Sequence, residues 1–418
     1  MKRPSRAARA SSSTAPASPV RTGRLRRWLG VVVLGLLLVF AGGWGARWAM
    51  RAAARRALER RQLEDASLWL DRLDRWGGSG ATEWLLRARV LRRMGQVSGA
   101  LASLEQAAAA GADESDLLRA AVLARAQAGQ LPDDARVLRE LLAQSPGESQ
   151  EIYEAFALGR VSTGRVTDAV QVLDDWQRDF PADPLPHYVR GVLQRDIGWS
   201  HKAEAEFRAA LALDPHHSDA ARELAVLVMR SQHYDEAIPL FHTALSGAGD
   251  NLPAHVGLAH CHRMLGATTT ARQILLPLVA GRHPDVGALA ELGRLELMEG
   301  HYDAALDLLA QARRTLPRNS EINYAYASAL AALGRHEAAA TSFRFAIEAR
   351  RSVRRIAELM ELLKSHPDNP DLRCEIARLS LEYGEPRDAA GWAQSVLDRD
   401  PQNAAALEIM ELLRNTTR

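Results

Sequence analysis

The chain is 418 residues long, 47% apolar and 25% charged, with a formal net charge of +2. Those values exclude a wholly disordered chain, and the near balance of charge gives no footing for nucleic-acid binding through overall charge. Two cysteines, Cys261 and Cys374, exclude a disulfide-dense scaffold, a cysteine-only zinc site and a covalent c-type haem motif. Fifty arginines against three lysines, with abundant alanine, point to a GC-rich, bacterial genome.

In chain order, residues 1–27 carry eight basic side chains and no acidic one. The Ser/Ala/Pro-rich run from Ser11 to Pro19 has too little apolar surface to offset the entropy of ordering, so a disordered basic tail is expected. Trp28 to Ala46 is uncharged for nineteen residues, centred on VVVLGLLLVF. At about 1.5 Å per residue, a helix of that length nearly spans a hydrocarbon core of about 30 Å. Trp28, Trp44 and Trp48 stand near its ends, where interfacial aromatics belong. An uncleaved single-pass transmembrane helix over 28–46 is the expectation. A cleavable signal peptide with Gly43 and Gly45 at the cut is the alternative, and the acid-free start also fits an organellar transit peptide if the source is eukaryotic. Eight basic residues precede the span and six follow it (Arg47, Arg51, Arg55, Arg56, Arg60, Arg61). The larger number places the N-terminus in the cytoplasm and the bulk of the chain outside it, in the periplasm of a bacterium.

The remainder is one repeat. A small residue opening a second helix recurs at Ala66, Ala100, Asp134, Ala169, Ala203, Ala237, Ala271, Ala305, Ala339 and Ala389. The steps are 34, apart from 35 before Ala169 and 50 before Ala389. At Asp134 the neighbour Ala135 is expected to supply the small side chain by a one-residue slip. Five residues before the anchors stand Arg61, Gly95, Gly129, Gly164, Gly198, Gln232, Gly266, Gly300, Gly334 and Gly384, where a first helix ends and a left-handed cap is cheapest. Small residues sit twelve before each anchor, among them Ala54, Ala157, Gly191 and Gly293. Large ones sit four after it: Leu70, Leu104, Leu138, Leu173, Phe207, Phe241, Leu275, Leu309 and Phe343, with Ala393 degenerate. Pro146, Pro181, Pro215, Pro317 and Pro401 stop second helices.

This set of columns closely resembles the tetratricopeptide repeat family, most clearly in GWSHKAEAEFRAALALDP, residues 198–215, and GHYDAALDLLAQARRTLP, residues 300–317. The resemblance covers about four-fifths of the chain. It implies an all-α fold: a right-handed α-solenoid of about ten helix-turn-helix units with a concave groove, following the transmembrane helix. Nine repeats fill 47–350, an inserted segment 351–369, a tenth repeat 370–403, and a capping helix with the C-terminal tail 404–418. The first helix, Arg47 to Arg61, is placed to continue the membrane span. In the insertion, Val353, Ile356, Leu359, Met360 and Leu363 have the spacing of an extra amphipathic helix, at which the array is expected to bend or divide.

No phosphate-binding loop, nucleophile elbow or zinc-protease helix is present, so no enzyme, cofactor, metal or small-molecule substrate is expected. His255, His260, Cys261 and His262 invite a metal reading, but His260 and His262 project about 200° apart on a helix and cannot grip one ion. Cys261 reads as a small packed residue and Cys374 as an unreactive thiol.

In the family resembled, the inner wall comes from first-helix positions fifteen, eleven, eight and seven before the anchor. From the second unit on, these hold Arg89, Arg92, Arg93, Arg119, Arg195, Arg222, Arg230, Arg263, Arg294 and Arg378. The acids there are Glu154, Asp196 and Glu382, and Tyr188, His260 and Tyr324 share the columns. Arginine forks hold carboxylates bidentately and tyrosine adds flat contact area. The expectation is a basic partner-binding groove for acidic or C-terminal segments of other proteins, formed by Arg89, Arg119, Tyr188, Arg222, Arg230, His260, Arg263, Arg294, Tyr324 and Arg378. The bland alternative is a solvated wall, rich in arginine because core columns exclude it. The lysine/asparagine clamp with which some family members hold chaperone C-termini has no match here. The expected role is a membrane-anchored interaction scaffold of a bacterial envelope assembly; the alternatives are a holdase for exported clients and a non-catalytic subunit of a membrane enzyme.

Overall fold

The computed structural model describes residues 45–76, 79–131, 134–247, 251–366 and 369–416. The basic tail and the apolar stretch up to residue 44 lie outside them. Among the described residues no strand occurs, and no helix is long and apolar enough to cross a membrane. The first described residues, 45–59, are helical.

The chain forms two compact units, the first ending at Ala124 and the second spanning Arg125–Arg418. In the first, helix 45–59 is followed by Leu63–Arg75, Ala81–Arg93 and Val97–Ala109; Glu114–Gln127 crosses the boundary. The second holds Asp134–Gln144, a short 3-10 turn Pro146–Glu148, and then helix pairs. These are Ser149–Ser162 with Val166–Asp179, Leu185–Asp196 with Ser200–Leu213, Ser218–Arg230 with Tyr234–Ser246, Leu252–Met264 with Thr268–Val279, and Val286–Met298 with Tyr302–Thr315. Ser320–Ala332 with His336–Ser365, Pro370–Tyr383 with Pro386–Leu397, and the final helix Ala404–Thr416 complete it. The division falls near residue 124 and not at the insertion. The core is thin there: over residues 114–144 the buried apolar side chains are Leu123, Ala124, Ala126 and Leu138.

The sequence columns map onto the packing. Every alanine anchor from Ala66 to Ala389 is buried, and the large residue four positions on fills the space between the paired helices. Phe207 lies so close to Gly191, and Leu309 to Gly293, that a methyl added to either glycine would stand 2.6 Å from the facing side chain. One buried Leu or Phe contributes about 1.5–3 kcal/mol, too little to hold a lone hairpin, so each repeat depends on its neighbours. First helices open on side-chain caps where the sequence supplies them: Asn319 Oδ1 accepts from the backbone N–H of Ile322 at 2.9 Å, and Asp285 Oδ1 from that of Ala288 at 2.7 Å. At the turns, Gly95 to Gly334 adopt positive φ, and the two departures from glycine do the same, Arg61 at 58° and Gln232 at 65°. Gly384 does not, with φ −115°.

Two local expectations are corrected. Ala135 is exposed and no slip occurs. Asp134 itself holds the anchor position, its carboxylate bridged by Arg160 at 3.0 Å and Arg165 at 2.9 Å. The segment 351–369 is not a separate helix. It continues the preceding one without a break to Ser365, because no glycine or proline interrupts the chain between His336 and His366. Ile356, Leu359 and Leu363 pack on Ile376, Leu372 and Trp392 of the last repeat, whereas Val353 and Met360 stay exposed.

Candidate functional site

The wall expected to bind partners is built from first helices, and its arginines are largely engaged. In the first unit Arg89 is exposed on Ala81–Arg93 and Arg119 pairs with Asp116 in its own helix. In the second unit Tyr188 belongs to the core side of the wall, its ring 6.1 Å from that of Phe207 and 5.1 Å from that of His217. Arg222 lies 2.7 Å from Glu223, which Arg195 of the preceding repeat also holds. Arg230 is exposed at the end of its helix, and Arg378 reaches Glu408 at 3.5 Å.

Four of the expected residues do come together. Arg263 Nε donates to Glu291 at 2.5 Å, His260 Nδ1 stands 3.2 Å from the same carboxylate, and Arg294 Nη1 completes it at 2.9 Å. Glu291 is 1% exposed. Burial would push its carboxyl up, but His260, Arg263 and Arg294 outweigh that and hold it down at about 2. Arg294 also reaches Glu321 at 3.2 Å. Beside this network lies a cavity of about 480 Å³ lined by Arg263, Arg294, Leu297, Met298, Tyr324 and Arg350, with Glu321, Ala325 and Ser328. Met298 and Tyr324 are both exposed, 51% and 43%. Phe343 meets the Tyr324 ring edge-on at 5.1 Å, and the Arg350 guanidinium lies 5.0 Å over it. Among the described residues Arg350 has no carboxylate partner. Among the described residues of the second unit, the wall therefore carries ion-paired joints and an apolar hollow with Arg350 at its edge.

Sequence reasoning missed Glu223 and Glu291, because both stand fourteen before the anchor, outside the counted columns. The signal was available: Arg195 and Glu223, and again Arg263 and Glu291, are 28 residues apart. Arg350 was missed because it sits on a second helix, and Leu297 and Met298 because only polar and aromatic positions were weighed.

The histidines have separate surroundings. His217 Nδ1 accepts from the Ala220 N–H at 3.2 Å as a helix cap, and burial with His242 nearby lowers the pKa of His262. Burial raises Cys261 to about 12, and raises Cys374 as well. Glu296, Glu299 and His301 have ligand spacing for a cation, but Arg272 bridges both carboxylates and supplies the positive charge itself.

The solved structures similar to the chain include the Cut9–Hcn1 hetero-tetramer of the APC/C (15% identity, 87% of this chain and 83% of that one, TM-score 0.37). They also include PilW, a type IV pilus biogenesis factor (20% identity, 46% and 90%, TM-score 0.41). YrrB, a repeat protein with an unusual peptide-binding site, is a third (16% identity, 58% and 100%, TM-score 0.34). No curated protein matches. Tetratricopeptide repeat models match residues 85–149 and 188–253, and 228–292 and 296–363, together more than half of the sequence. With those matches and the helix pairs repeating at the same period, the chain belongs to the tetratricopeptide repeat family.

Proposed function

We propose that the chain is an interaction scaffold that holds a segment of a partner protein in the hollow over Met298 and Tyr324. The segment this chemistry accepts carries an apolar side chain for the Leu297–Met298–Ala325 floor and a carboxylate for Arg350. The observation that carries the reading is Arg350 itself: an exposed guanidinium, stacked on an exposed tyrosine and without a carboxylate partner among the described residues, at the rim of an apolar hollow. Arg263 and Arg294 shape the hollow but direct most of their charge to Glu291, so the reading narrows from a broadly basic groove to one subsite for an acid. The tetratricopeptide fold supports this scaffold role, since stacked helix pairs present continuous side-chain surfaces to other proteins.

The scaffold works tethered to a membrane, with residues 28–46 as the anchor and the repeats on the periplasmic side of a bacterial envelope. The uncharged run and the excess of basic residues before it support this reading.

A photo-crosslinking amino acid in place of Ser328, in full-length protein in intact cells, tests the hollow. Sequenced crosslinks should be acidic segments of one partner and should disappear in Arg350→Glu and in Tyr324→Ala. Undiminished crosslinks in both variants, or crosslinked segments without acidic residues, would overturn the proposal. Protease accessibility in spheroplasts tests the sidedness.

A further inference from the structure

The first unit has an apolar, basic end that the partner-binding reading does not use. Helices 45–59 and Ala81–Arg93 run side by side in the same direction: Arg51, midway along the first, pairs with Glu83 near the start of the second, and Arg93 Nη1 reaches the Leu58 carbonyl at 3.4 Å near the ends of both. Helix Leu63–Arg75 runs back between them, which returns Trp76 to the starting end. Trp48 and Trp76 are 69% and 62% exposed there, and Trp84 joins them one residue after Glu83. The opposite end, around Arg61 and Gly95, has no tryptophan. Within 45–51, 71–76 and 79–87 stand five arginines (47, 51, 72, 75 and 87) against three acids. Two of those acids, Glu83 and Asp71, are already held by Arg51 and Arg87. Arg87 also lies 5.5 Å over the Trp84 ring, while Arg72, 4.7 Å over the Trp69 ring, and Arg75, whose Nε donates to the Asp71 carbonyl at 3.4 Å, are exposed.

We infer that this end of the first unit lies on a bilayer and engages anionic lipid headgroups through Trp48, Trp76 and the arginines around them. The inference rests on the membrane tether proposed above. The uncharged run ends at Ala46, two residues before Trp48, so a tethered chain holds this end within about a helical turn of the lipid surface. Tryptophan favours the headgroup layer, where its ring is buried and its N–H solvated, and each arginine near an anionic surface adds attraction. Indoles left in water at one end of the hairpins, among exposed arginines, are the composition of that layer.

The test uses full-length protein in lipid nanodiscs carrying nitroxide-labelled lipid. An environment-sensitive fluorophore is attached at Thr82→Cys, at the proposed end, or at Gln96→Cys, at the far end; the native thiols are buried. In phosphatidylcholine with phosphatidylglycerol, quenching at 82 should exceed that at 96 several-fold. It should fall in phosphatidylcholine alone and in the Trp76→Glu, Arg75→Glu variant, while the protein stays on the disc. Equal quenching at both positions in disc-bound protein would overturn the inference and leave the tether standing. A chain that does not remain with the disc would refute the tether, and the inference with it. Shielding at 82 that requires added protein would assign this end to a protein partner and overturn the lipid reading.

Discussion

Replacing Glu291 by glutamine tests whether buried ion pairs join the repeats. The carboxyl is 1% exposed and is held at about 2 instead of its ordinary 4.5. At about 1.4 kcal/mol per pH unit, that depression corresponds to roughly 3 kcal/mol favouring the folded, ionised state. The folded value is lower than the unfolded one, so the stabilisation is complete above about 4.5 and is lost as the pH falls through about 2. Glutamine keeps the shape and one acceptor for Arg263 but leaves the charge of Arg263 uncompensated and that of Arg294 with Glu321 alone. A repeat array has no single unfolding free energy, so the readout is local: hydrogen–deuterium exchange protection in Leu252–Met264 and Val286–Met298. At neutral pH the variant should lose protection there by a factor on the order of 100, and the gap to wild type should narrow as the pH is lowered from 4.5 toward 3. Equal protection at neutral pH, or a gap that does not change with pH, would refute the assignment.

Gly191→Ala places a methyl 2.6 Å from the Phe207 ring and should cost about 1–3 kcal/mol, seen as faster exchange across Leu185–Leu213; Phe207→Leu in the same chain should recover part of the loss. Gln232→Gly relieves a left-handed residue at φ 65°, worth about 1–2 kcal/mol, against about 0.4–1 kcal/mol of added unfolded-chain entropy, so the denaturation midpoint should rise slightly. Gly266→Gln, at φ 79°, should lower it. Cys261, held at about 12 by burial, should react with a thiol reagent only after denaturation, and mass spectrometry of the native protein after labelling checks this.

The period of 34 was legible because the fold uses the same contact ten times. Ala203 must be small for its helix to approach, and Phe207 must be large to fill the space beside Gly191. Such columns report local packing, which a single sequence displays directly. Gln232 and Arg61 broke the glycine pattern without breaking the turn, because the surrounding helix ends impose the left-handed conformation on any residue. The long helix to Ser365 was misread because amphipathic spacing shows that a segment is helical but not where the helix starts; only the missing breaker before Arg351 showed that. The wall was the least legible part. Counting arginines in inner columns ignores which acid each one meets, and the acids for Arg195 and Arg263 lie one repeat further along the chain.

The spacing of those pairs has a consequence for how the second unit comes apart. Arg195 with Glu223 and Arg263 with Glu291 occupy equivalent places two repeats apart. The same places hold Val161 and Val189, Met229 and Gly257, and Leu297 and Ala325 at the intervening seams. At this pair of positions ionic and apolar contacts thus alternate along the stack, while Arg190 with Asp174 and Arg294 with Glu321 tie two of the apolar seams through other residues. Protonation of Glu291, as the pH falls toward about 2, would loosen the seam between its repeat and that of Arg263. A graft or deletion that respects a 68-residue module would keep every seam matched, whereas one of 34 would set an arginine against glycine or alanine.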